Sequence, residues 1–306
     1  DLETRLLDRS LATIGRVVGS FPVFPGTNLA ARDGWRVVDL AASTTELWRT
    51  EHVIATNAGL RLADGRVASV YSHIWPHQGF WRLGDPPAYG AGPAHAETHR
   101  TGAALIDGWS GDLDGDGREE LVAAFGSPAD DVRLFQADAR GELALVDRRT
   151  LTGVRAVAGI RRGSSRALVV AEDAAYTVFA WTGAALVEIG TATMTDLEAA
   201  VSRTNERMIA ADLDADGTDE LLHAGRFGQQ HGMRVVRDAG GQASWRTIGG
   251  VDPWAAVQVD ADAADEVVVR MTPGLGAWVL GAGDQAPPAL RTAAEVVASP
   301  DIADAW

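Results

Sequence analysis

Two stretches of this chain repeat one loop. They are Gly111-Asp112-Leu113-Asp114-Gly115-Asp116-Gly117-Arg118-Glu119-Glu120-Leu121 and Ala211-Asp212-Leu213-Asp214-Ala215-Asp216-Gly217-Thr218-Asp219-Glu220-Leu221, with their first acids 100 positions apart. Between them, Val157 to Val170 keeps the apolar-loop-apolar outline but has no acidic residue, so the period is near half that spacing. A further copy, Val257 to Val269, starts its acids at Asp260, 48 positions after Asp212 and with a shorter loop. A fainter one spans Val37 to Trp48, with Asp39 and Glu46 as its acids.

Within a unit, the spacing predicts short strands at Glu119 to Phe125, Val132 to Gln136 and Glu142 to Arg148, separated by Gly-, Asp- and Ser-containing turns. A period of roughly 40 to 50 residues with several strands per unit is the mark of propeller blades. The expected fold is therefore all-β, a single β-propeller over residues 1–306 with six blades, five and seven also fitting the spacing. The sixth blade would be shared between Val17 to Phe24 and Ala293 to Ala298, closing the ring without an open edge strand. Leu2, Leu6, Leu7, Leu11 and Ile14 stand at near-helical spacing and predict a short helix against the propeller edge. The stretch from about 72 to 101, rich in Pro, Gly, His and Trp, is expected to be an irregular insertion.

The charge balance narrows the partners. A net charge of −15 repels phosphate backbones and anionic lipid heads, so neither nucleic acid nor a membrane surface is expected as a partner. No apolar run approaches the ~20 residues that cross a bilayer, which predicts a soluble protein. All 27 basic residues are Arg, which removes Schiff-base chemistry, and the lack of Cys removes thiolate nucleophiles and zinc-thiolate sites. The start at Asp1-Leu2-Glu3 is read as that of a mature exported form or a trimmed chain, with secretion favoured over the cytoplasm. The oligomeric state is not legible.

A calcium ion takes six to eight oxygen ligands, which carboxylates at alternate positions of a tight loop supply. Asp112, Asp114 and Asp116 form one such set, with the Arg118 carbonyl and the Glu120 carboxylate as further ligands. Asp212, Asp214, Asp216, Thr218 and Glu220 repeat it. Two calcium ions are expected, with a third candidate at Asp260 and Asp262. An EF-hand would need flanking helices and an acid at its twelfth position, but Ala123 and His223 stand there and a strand-like run follows. The alternative is that these acids only make Asx turns.

The loops, together with the Phe125-Gly126 and Phe227-Gly228 pairs after them, resemble the FG-GAP or VCBS-type repeat of integrin-like propellers. The resemblance spans about two thirds of the chain and is strong at two repeats. It implies ions that brace blades rather than catalyse.

Four of the seven histidines fall in the 72–101 stretch. If His95 to His99 is extended, the period of two sets His95, Glu97 and His99 on one face, a set that suits a transition metal. With His73 and His77 these make five candidates, His73, His77, His95, Glu97 and His99, for acid/base chemistry or for holding a metal. Solvated loop histidines with no role are the competing reading. Of the ten tryptophans, most are expected to pack between blades, while Trp75, Trp81 and Trp109 flank the histidines and are the candidates for stacking on a ligand.

No nucleophile elbow, Walker loop or dinucleotide fingerprint is present. The expected function is a calcium-stabilised propeller that binds a small molecule or glycan at its loop face. The alternatives are a propeller lyase, isomerase or cyclase working through the histidine cluster, and a protein-interaction platform.

Overall fold

A computed structural model describes strands between Glu3 and Thr292. Side chains are described for residues 105–126, 128–137, 144–194, 206–227 and 232–237 and for positions 239, 253, 256, 263–265 and 267. The chain divides into two compact units, residues 1–112 with 117–154 and residues 113–116 with 155–306.

The first unit opens with a hairpin, β1 (Glu3–Leu7) and β2 (Thr13–Val18). A three-stranded sheet follows, of β3 (Leu29–Arg32), β4 (Arg36–Asp39) and β5 (Thr45–Arg49). Then come two four-stranded sheets. One holds β6 (Ile54–Arg61), β7 (Val67–His73), β8 (Gly79–Gly84) and β9 (Glu97–Arg100). The other holds β10 (Leu105–Gly111), β11 (Glu120–Phe125), β12 (Asp131–Ala137) and β13 (Leu143–Thr150).

The second unit holds three more four-stranded sheets. They are β14 (Ala156–Arg162), β15 (Ser165–Ala171), β16 (Ala175–Trp181) and β17 (Leu186–Thr193); β18 (Arg207–Ala211), β19 (Glu220–Phe227), β20 (Gln230–Arg237) and β21 (Ser244–Gly249); and β22 (Val251–Val257), β23 (Glu266–Met271), β24 (Ala277–Leu280) and β25 (Leu290–Thr292). In all of these sheets the strand order is the chain order and neighbours run antiparallel.

Burial explains why these segments are strands. The second strands β11 and β15 hold continuous apolar runs, Leu121 to Phe125 and Leu168 to Ala171, buried on both faces. The fourth strands β13 and β17 are largely solvent-exposed, leaving Leu145, Val187 and Ile189 about half exposed. In the second unit, Ala158, Val169, Tyr176 and Val178 of one sheet pack on Met208, Leu221 and Val236 of the next. Each buried Val, Leu or Met among them contributes on the order of 1.5–3 kcal/mol. Leu222, Met233 and Val235 in turn pack with Val267 of β23.

Two segments differ from the pattern read in the sequence. Leu2 to Val18 contains β1 and β2 rather than a helix, because Thr4, Thr13, Ile14, Val17 and Val18 are β-branched and favour extended backbone over the loose leucine spacing. The 72–101 stretch supplies the last two strands of its sheet, β8 and β9. The expected closing run at 293–298 lies outside the described residues.

Candidate metal centre

The acidic loops sit in equivalent places, each joining the first strand of its sheet to the second: 112–119 between β10 and β11, and 212–219 between β18 and β19. The loop that lost its acids, at 163–164, makes the same connection between β14 and β15. Alternation carries over from the strand, so Leu113 is buried while Asp114 and Asp116 are exposed.

Each loop is wound by its own first acid. In the first, Asp112 Oδ2 accepts the Gly117 N–H at 3.0 Å, and Asp114 Oδ1 accepts the Asp116 N–H at 3.2 Å. In the second, Asp212 Oδ2 accepts the Gly217 N–H at 3.0 Å, Asp212 Oδ1 the Asp216 N–H at 3.1 Å, and Asp216 Oδ1 the Thr218 N–H at 2.7 Å. The turn needs two left-handed residues: Gly115 (φ 79°) and Gly117 (φ 87°) in one loop, Ala215 (φ 60°) and Gly217 (φ 83°) in the other. Ala215 bears a conformation that its Cβ disfavours.

This winding gathers the carboxylates. Asp112, Asp114 and Asp116 each offer an oxygen within 4.8 Å of the others, and so do Asp212, Asp214 and Asp216. Three carboxylates this close repel one another, which a divalent cation would offset.

Glu120 and Glu220 fall outside those two groups and are both buried. Glu120 accepts from Gln136 Nε2 at 2.8 Å, whereas Glu220 Oε2 accepts the Leu213 N–H at 2.9 Å and Oε1 lies 3.3 Å from the Arg237 guanidinium. Gln136 and Arg237 occupy the matching position on the third strand, next to Phe135 and Val236, which pair with Leu121 and Leu221. Glu220 thus ties its loop to its sheet, while Glu120 joins the second and third strands of its own. Burial pushes the Glu220 carboxyl above its ordinary value, and the Leu213 N–H opposes this. Arg118 is exposed and Thr218 half-buried.

The second loop is also held from both sides by neighbouring hairpins of its own unit. Arg161, at the end of β14, sets its guanidinium 3.0 Å from Asp212 Oδ2 and 3.2 Å from Asp219 Oδ1. Its main chain exchanges two bonds with Asp219: the Arg161 N–H donates to Oδ2 at 2.6 Å, and the Asp219 N–H to the Arg161 carbonyl at 2.9 Å. Burial raises the Asp219 carboxyl, with Arg161 opposing. On the other side, Asp265 accepts the Asp212 N–H at 2.9 Å and donates its own N–H to the Asp212 carbonyl at 2.7 Å. Nothing in the composition of 157–170 announces Arg161 as a partner for an acid 51 residues away. Asp260 and Asp262 lie outside the described residues.

The histidine and tryptophan candidates are only partly placed. Glu97 and His99 stand at alternate positions of β9, and His73 ends β7, with β8 between those two strands. Trp81 of β8 pairs with His99. Trp75, His77 and His95 lie outside the described residues. Trp109 is half-buried over the neck of the first loop, where a Cβ on Gly111 would come within 2.6 Å of its ring.

Successive antiparallel four-stranded meanders with acidic hairpin loops define a β-propeller, and solved structures agree. The chain is similar to a protein from Lactobacillus plantarum solved by a structural genomics consortium, at TM-score 0.50 and 14% identity over 89% of this chain and 80% of that one. It is likewise similar to the Dos1 propeller, at TM-score 0.50 and 10% identity over 87% of this chain and 65% of that one. At such identities the likeness shows the fold, an all-β propeller. No family model and no curated protein matches the sequence.

Proposed function

We propose that the protein is a calcium-stabilised β-propeller of the FG-GAP or VCBS type, a scaffold that takes a small molecule or glycan at its loop face. The observation that carries this reading is the pair of carboxylate triads, Asp112/Asp114/Asp116 and Asp212/Asp214/Asp216, at equivalent loops that share the bond from the Gly117 or Gly217 N–H to the first acid. Hard oxygen donors at alternate loop positions suit Ca²⁺ better than Mg²⁺, which demands a strict octahedron. The ions brace loops that are already hydrogen-bonded, and a half-buried Trp109 beside the first loop offers a face for stacking on a sugar ring.

The test is thermal melting of the whole protein in EDTA and in millimolar calcium. A ligand that binds only the native state raises stability by about 2.7 kcal/mol at a hundredfold excess over Kd. We expect a clear upward shift in Tm with calcium, none with equal magnesium, and its loss in the double variant Asp114→Asn, Asp214→Asn. Identical melting curves in EDTA and calcium would overturn the reading.

A further inference from the structure

A buried ionic cluster lies away from the acidic loops, between the first two sheets of the second unit. His223 on β19, Arg234 on β20 and Arg155 just before β14 are fully buried, and Glu206, just before β18, is nearly so. The Tyr176 hydroxyl of β16 is 2.9 Å from His223 Nδ1, which makes this a polar bond from one sheet to the next. Glu206 Oε2 faces Nε2 at 3.4 Å, long for a hydrogen bond. Arg155 lies 3.4 Å from the other Glu206 oxygen and 3.3 Å from Asp173 in the turn before β16. Phe227, with the Arg234 guanidinium 4.0 Å from its ring centroid, meets the imidazole edge-on.

Among the described residues, two guanidiniums, one buried carboxylate and the partly exposed Asp173 balance while the imidazole is neutral. With Nε2–H toward Glu206, Nδ1 accepts from the Tyr176 O–H. A second ring proton would turn Nδ1 into a donor and add a charge to an inter-sheet core otherwise built of Ala, Val, Leu, Ile and Met. The close carboxylate that could offset it, Glu206, is already engaged by Arg155.

We propose that His223 is an acid-sensitive latch between the β14–β17 and β18–β21 sheets: neutral, it holds Tyr176 across the boundary, and on protonation it loosens that boundary. Burial holds the imidazole below its ordinary value, the Glu206 carboxylate opposes this, and Arg155 and Arg234 add to it. An unfolded histidine takes its proton near pH 6.5, while the native one resists. The stability from this group is therefore full above that pH and declines as pH falls from there to the native value.

The test compares wild type with His223→Gln, in EDTA so that calcium plays no part, by following Tm from pH 8 to pH 5. Wild type should lose more than the variant, by roughly 3 °C. Equal or smaller losses in wild type overturn the proposal. If the variant does not fold, the His223 Hε1 resonance of the wild type is titrated by NMR. A midpoint below pH 6.5 supports the latch, and one at or above it overturns it.

Discussion

Arg161 holds Asp212: a guanidinium from the hairpin that carries no acids of its own lies 3.0 Å from the carboxylate that winds the next acidic loop. The same oxygen, Asp212 Oδ2, also accepts the Gly217 N–H. A metal ion at this loop would compete with the arginine for the negative charge of the Asp212 carboxylate.

Substituting Arg161→Gln tests the competition. The ion pair is partly exposed, so its loss costs less than about 1 kcal/mol in EDTA. The calcium-induced rise in Tm should be larger in the variant than in wild type, because the ion no longer displaces a guanidinium. Melting with and without calcium reads both effects.

Asp212 and Asp214 separate winding from metal binding. Asp212→Ala removes the acceptor of two loop N–H groups and should cost about 1–3 kcal/mol even in EDTA. Asp214 is exposed and pairs with the surface guanidinium of Arg237. Asp214→Asn should thus be nearly neutral in EDTA and reduce only the calcium-dependent gain, as urea denaturation in the two conditions would show.

Ala215→Gly should stabilise. The first loop uses Gly115 at the matching left-handed position, while Ala215 carries φ 60° with a Cβ. Relief of that strain is worth about 1 kcal/mol, less the entropy glycine loses on folding. The expected rise in Tm is about 1 °C, and the reciprocal Gly115→Ala should lower it.

Glu220 acts through the loop backbone. Glu220→Gln keeps an acceptor for the Leu213 N–H and should be mild, whereas Glu220→Ala leaves that donor unsatisfied and should cost about 1–3 kcal/mol. A calcium response that survives in Glu220→Gln would assign the glutamate to loop anchoring rather than to coordination.

What could be read in the sequence was local. The spacing of Asp112, Asp114 and Asp116 with Gly117 fixes the turn within a few residues, and the apolar run Leu121 to Phe125 reads as a doubly buried strand. Both need only near neighbours. The hairpin at Leu2 to Val18 was not legible, because leucine spacing and β-branched residues point to different structures and pairing between β1 and β2 decides. The residues that engage Glu120 and Glu220 were not legible, because Gln136 and Arg237 come from the third strand of each sheet. His223 appeared only as a position lacking an EF-hand acid, since nothing nearby in the chain announces Tyr176 or Glu206 as its company.

The reciprocal bonds between Asp212 and Asp265 bear on how such a protein could be cut and rebuilt. A segment excised from β18 to β21 as a self-contained module would carry Asp212 away from the side chain and the main chain of Asp265 that satisfy its N–H and C=O. Transplanting or shuffling one sheet therefore requires its successor's loop to travel with it, so the natural cutting unit is a sheet together with the hairpin that follows.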